Sequence, residues 1–210
     1  MIISFSKPVS FGLVLLLGQM FMIYNSASWF GEQFAEEYTS VMIGYLIFFL
    51  AFFASLLKHP LMKISFFSAI PYFAIFFVIG IGASILPGMS IFQVDLSPER
   101  DPNFIKGVIL YQILFVANTE ECIFRSLLPK LFPSIIFLGI PISSKVISSI
   151  VFGAFHFSTY YLLSETTGQN LTVMLITATL AGLAFQAVKG RFGLPAAMGL
   201  HSGLNVGNLI

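Results

Sequence analysis

Charge is what this sequence has least of. Asp, Glu, Lys and Arg make up 9% of its residues, where soluble domains carry about 25%. Hydrophobic residues make up 57%, and Phe alone supplies 25 positions. One soluble core cannot hide that much apolar surface. Composition therefore excludes an ordinary soluble domain and points to an all-α, polytopic helical membrane protein. Cysteine is almost absent. Cys122 stands alone, which excludes an internal disulfide and a cysteine zinc cluster. The net charge of +1 carries no signature of nucleic-acid binding, and no nucleic-acid partner is expected. There is no internal repeat, low-complexity tract or long linker.

A helix needs about 20 mostly apolar residues to cross the hydrocarbon layer. About seven segments qualify: 9–30, 40–57, 64–86, 104–126, 143–164, 170–189 and 193–209. Residues 127–142, LLPKLFPSIIFLGIPI, are apolar but carry three prolines. A run so short and so rich in proline fits a re-entrant or interfacial segment after the fourth span. Ser26-Ala27-Ser28 faintly resembles a signal cleavage site, but the apolar run continues to Phe30 and a retained first helix is expected. The chain reads as a single membrane domain, 1–210. Within it, 103–209 holds the motifs described below, and 1–102 supplies N-terminal helices without a usable signature.

The few charges test this map. With a cytoplasmic N-terminus, Lys7, Lys58, Lys63, Arg125, Lys130, Lys145, Lys189 and Arg191 fall inside, and only Arg100 and Lys106 fall outside. That asymmetry is what the positive-inside rule expects of a protein in the cell membrane. Glu32, Glu36, Glu37, Asp95, Glu99, Asp101 and Glu165 fall outside. Glu120 and Glu121 do not. They lie within the fourth span, near its cytoplasmic end, where an unpaired charge costs several kcal/mol.

Intramembrane charges are functional candidates by default. Glu121 and Arg125 stand four residues apart, so a structural ion pair explains them. It does not explain Glu120, which lies about 100° round the helix. If Arg125 neutralises Glu121, Glu120 is left as the candidate general base. Of the three histidines, His59 precedes Pro60 in a connection and reads as a wet loop residue. His156 lies roughly 16 Å and His201 roughly 12 Å along their spans from the inner ends, by helical rise. Either alone could be a helix–helix hydrogen bond. Together with Glu120 at similar depth they fit one shared cavity in the cytoplasmic half. Phe152 and His156 share a helix face, as do His201 and Asn205; Gly199, Gly203 and Gly207 form a ridge facing away from the latter pair, suited to close helix packing.

The ordered set of EExxxR at 120–125, FxxxH at 152–156 and HxxxN at 201–205 resembles the CPBP family of CAAX-protease and bacteriocin-processing (Abi) intramembrane proteases. The resemblance covers roughly 104–209. One departure is Ser126, where the family often has glycine after the arginine. The resemblance implies peptide-bond hydrolysis inside the membrane, near the cytoplasmic face. Glu120 would activate water with help from His156. Glu121, held by Arg125, would orient the site. His201 and Asn205 would stabilise the oxyanion or help hold a metal, and Phe152 would wall the pocket. The partners implied are the lipid bilayer and a prenylated or membrane-embedded peptide substrate.

The metal stays open. Glu120, His156 and His201 could ligate a divalent ion such as zinc, but there is no HExxH, and a metal-free glutamate mechanism is chemically adequate. Asp95 and Asp101 share one outer loop, so no membrane aspartate dyad exists. Ser55 and Lys58 match SxxK by chance at a membrane exit. Cys122 reads as a packing residue. The rival class is a proton- or ion-coupled transporter, for which Gln112, Asn118 and Gln186 offer a thin polar trail. A non-catalytic immunity or scaffold protein using the same polar residues as hydrogen-bond glue is a third reading.

Overall fold

The computed structural model describes residues 7–57, 66–85 and 101–209. Lys58, His59, Lys63, Asp95, Glu99 and Arg100 lie outside the described residues, as does the C-terminal end of the expected third span. The described chain is mostly helical. In order it forms α1 (Lys7–Tyr24), α2 (Ser26–Phe30), α3 (Glu32–Leu57), α4 (Phe66–Ser84) and α5 (Pro102–Leu131). A two-stranded hairpin follows, β1 (Ile135–Phe137) and β2 (Ile140–Ile142). Then come α6 (Ser144–Phe155), α7 (Phe157–Thr167), α8 (Leu171–Phe192) and α9 (Leu194–Gly207). Among the described residues, α5 and α8 are long and apolar enough to cross a membrane.

Two expectations need correction. The first span is two helices, because α1 ends at Tyr24 and α2 starts anew after Asn25. The fifth span breaks at His156, whose ψ of 2° ends α6 and begins α7. The proline-bearing segment expected to be re-entrant or interfacial continues α5 to Leu131 and then forms a small hairpin in an otherwise helical fold. Pro133 and Pro141 cannot donate to a helical ladder, and the chain pairs Ile135 with Ile142 and Phe137 with Ile140 in antiparallel register instead.

Local chemistry accounts for the element ends. Asp101 caps α5 by accepting from the Asn103 N–H, with Pro102 in the first turn. Asn170 caps α8 by accepting from Thr172 and Val173. Gly193, at φ 92°, separates α8 from α9 in a conformation that side chains resist.

Packing positions the site-bearing helices. The glycine ridge of α9 lies directly on α4: a Cβ at Gly199 would overlap the Phe73 carbonyl, and one at Gly203 the Phe77 carbonyl. Two backbones in contact have no room for a methyl group between them. An aromatic cluster of Phe30, Phe34, Phe104, Tyr111 and Phe115 joins α2 and α3 to the first half of α5. Cys122 is buried among Leu15, Phe49, Ala69, Leu194 and Met198, which is a packing position. Phe124, Phe152, Phe185, Ala197 and Leu200 join the second half of α5 to α6, α8 and α9.

Candidate active site

Helix α5 is not uniformly α-helical. It widens into π-helical turns at Gln112–Ala117 and Cys122–Leu127, on either side of Asn118–Glu121. Such turns free carbonyls and re-aim side chains, and they gather at functional sites. Near the end of the second turn the Leu128 N–H reaches the Ile123 carbonyl. Pro129 comes next and has no N–H to offer the carbonyls of Phe124 or Arg125. Ser148 of α6 donates to the first and Lys189 of α8 to the second, at 2.7 Å. In the first turn Asn118 donates to the Ile113 carbonyl at 2.6 Å and Gln19 of α1 to the Leu114 carbonyl at 2.7 Å.

Between the widened turns the two glutamates part company. Glu121 is fully buried and both of its oxygens are engaged. Oε2 accepts from Arg125 Nε at 3.2 Å and Oε1 meets His201 Nδ1 at 3.0 Å. Arg125 is itself fully buried. Its guanidinium lies over the Phe152 ring, 4.4 Å from the centroid, and 5.4 Å from that of Phe185, so aromatic faces complete its surroundings. Phe185 also stacks on His201, with ring centroids 4.7 Å apart.

Glu120 faces the other way. Oε1 accepts from the Tyr45 hydroxyl of α3 at 3.3 Å. Oε2 is buried without a hydrogen-bond partner among the described residues. It stands 3.7 Å from His156 Nε2 and 3.8 Å from His201 Nε2. The break at His156 turns its Nδ1 onto the Phe152 carbonyl at 2.8 Å. A carbonyl only accepts, so Nδ1 donates that bond and Nε2 faces Glu120. His201 has the corresponding geometry, with Nδ1 toward the Glu121 carboxylate and Nε2 toward Glu120.

Asn205, one turn beyond His201, donates through Nδ2 to Gln112 Oε1 at 3.0 Å. These groups line a cavity of about 350 Å³ bounded by Tyr111, Glu120, His156, Thr159, His201 and Asn205. A second, apolar groove of about 530 Å³ meets it at Tyr45, Glu120 and Phe155, and runs between Val41 and Phe48 of α3 and Ile123, Leu128 and Val151. A polar chamber with a buried, partly unsatisfied carboxylate opens onto an apolar trough.

The family model for type II CAAX prenyl endopeptidases, Rce1-like, matches residues 102–207. The chain belongs to this family. No curated protein and no solved structure matches. An Rce1-like chain is a membrane-helical peptidase relative, and the membrane-length apolar helices α5 and α8 agree with a membrane location. All of Glu120, Glu121, Arg125, Phe152, His156, His201 and Asn205 fall within the matched segment and converge in space, and none is left outside the cluster.

Sequence reading missed part of this Rce1-like site. Tyr45 lies on α3, outside the matched segment, and was one aromatic among many. Gln112 and Asn118 stood as a possible transport trail, but Gln112 holds Asn205 and Asn118 closes a π turn. Ser148 and Lys189 had a legible cause in Pro129, but only packing shows that they are the donors. For a metal, the donor set Glu120, His156 and His201 is chemically suitable. Among the described residues no three His, Cys, Asp or Glu side chains are grouped closely enough to hold an ion.

Proposed function

We propose that this chain is an intramembrane endopeptidase of the CAAX prenyl type, hydrolysing a peptide bond with water activated by Glu120 and His156. The observation that carries the reading is the Glu120 Oε2 atom, buried, unsatisfied and within 4 Å of two imidazole Nε2 atoms. A gap of that width suits a water molecule bonded to Oε2 and to His156 Nε2. In the reaction the water oxygen bonds to the scissile carbonyl carbon and its proton passes to Glu120. The carbonyl oxygen becomes an oxyanion. The C–N bond then breaks, and the leaving amine takes the proton from Glu120.

His201 and Asn205 are the oxyanion donors in this reading. Both side chains line the cavity, where an imidazole N–H and an amide N–H serve a developing oxyanion. Tyr45 positions Glu120, and Gln112 positions Asn205. The apolar groove takes the prenyl chain or apolar side chains of a membrane-embedded substrate, which sets the peptide bond beside Glu120. The asymmetry of basic residues supports a cytoplasmic N-terminus and a site in the cytoplasmic half.

The test is cleavage of a farnesylated peptide ending in a CAAX box by purified protein in vesicles. Wild type releases the terminal peptide, and Glu120→Gln and His156→Ala do not. Cleavage that survives both substitutions refutes the assignment.

A further inference from the structure

The hairpin between α5 and α6 has an unusual surface. Residues 130–141 are exposed without interruption. From Leu131 to Ile142 the only polar side chain is Ser134. Side chains alternate between the faces of a strand, and a hairpin packed on one face reads as apolar and polar in turn. Here both faces are apolar and both are bare: Ile136 is 78% and Phe137 59% exposed, on opposite faces. A protein partner would cover one face. Only immersion in an apolar medium satisfies both.

The tip strengthens the point. The turn residues Leu138 and Gly139 have φ of 50° and 77°. Two-residue turns of this kind favour Asn-Gly, because a side chain resists positive φ. Leu138 occupies such a position and is 86% exposed. Water alone gives no reason to hold a leucine there at a conformational cost of about 1 kcal/mol. The base of the hairpin has the opposite character. Lys130 precedes it and Lys145 follows it, and both lie close enough to Lys189 to interact electrostatically. Residues 127–145 contain no acidic side chain.

We propose that this hairpin is a lipid-inserting wedge: its tip and both faces enter the outer part of the hydrocarbon layer, and Lys130 and Lys145 at its base meet the phosphates of anionic lipids. Insertion is shallow for two reasons. Three residues per strand reach only about 10 Å. The outer edges carry unpaired backbone groups that cannot go deep into hydrocarbon, although Pro141 removes one N–H from them. The wedge joins α5 to α6, two helices that wall the apolar groove, so it holds the groove's mouth at headgroup depth. None of this depends on the peptidase reading.

Spin labels on Ile136→Cys, Phe137→Cys and Leu138→Cys test it in full-length protein. Cys122 is buried and stays in place. The protein is reconstituted in phosphatidylcholine vesicles with and without phosphatidylglycerol. All three labels are expected to collide with oxygen several-fold more than with a water-soluble nickel chelate. Phosphatidylglycerol is expected to increase that ratio in the parent chain and not in Lys130→Gln/Lys145→Gln. Labels open to the nickel chelate overturn insertion. Labels at Ile136 and Phe137 that differ, with one shielded from both reagents, point to a protein partner and also overturn it. A ratio indifferent to phosphatidylglycerol in the parent chain overturns the role of the two lysines.

Discussion

Glu120 and Glu121 are neighbours in sequence, yet they face regions of opposite design. On the Glu121 side the carboxylate is closed, with Arg125 and His201 on its two oxygens, and Phe152 and Phe185 lie over a guanidinium whose Nη1 and Nη2 have no hydrogen-bond partner among the described residues. On the Glu120 side one oxygen is held by Tyr45 and the other is buried without a hydrogen-bond partner at the wall of the cavity. The locked side carries the cost of burying charge and contributes orientation. The open side carries its unsatisfied atom on a carboxylate that lines the cavity, a cost that a folded protein tolerates where chemistry uses it. One helical step of about 100° separates a structural region from a reactive one.

Substitutions can break that division, and they rank by expected effect. Glu120→Gln, nearly isosteric, should lower kcat on a farnesylated CAAX peptide by about 10²–10⁴-fold, the range for a lost general base. Its thermal unfolding in detergent should match wild type. Arg125→Met should do the reverse, destabilising the fold by about 3–5 kcal/mol because Glu121 stays buried without its partner; loss of Tm before any kinetic change is the readout. Asn205→Ala should lower kcat by about 10²-fold, as for loss of one oxyanion donor, with Tm retained. Tyr45→Phe removes one long hydrogen bond to a carboxylate. It should lower kcat by about tenfold with KM unchanged, corresponding to roughly 1.5 kcal/mol. The smallest effect is expected from a chelator: activity should persist after dialysis, checked by metal analysis of the same sample, because the water site needs only Glu120 and His156.

Much of the locked side was legible before any coordinates. A chain so poor in charge makes each intramembrane ion conspicuous, and the spacing of Glu121 and Arg125 is a helical contact. The glycine ridge of α9 was readable for the same reason: periodicity in one helix reports its own faces. What could not be read lies between helices. Tyr45 reaches Glu120 across a sequence separation of 75 residues, and nothing local distinguishes it from other aromatics. The π turns are invisible to a pattern search at 3.6 residues per turn. The break at His156 is likewise hidden, because Phe155, His156 and Phe157 carry no helix-breaking residue. Pro133 and Pro141 announced that a helix was unsuitable after Leu131 without saying that a hairpin would replace it.

The contact of α9 with α4 has a consequence for precision. Side-chain packing leaves rotamers as a source of positional error, and backbone laid on backbone does not. With the Phe73 and Phe77 carbonyls against Gly199 and Gly203, main-chain contact restricts the rotation of α9 about its axis on that face. His201 and Asn205 inherit that tolerance. Helix α4 lies outside the segment the family model covers, so the placement of His201 and Asn205 depends in part on a helix that carries none of the motifs.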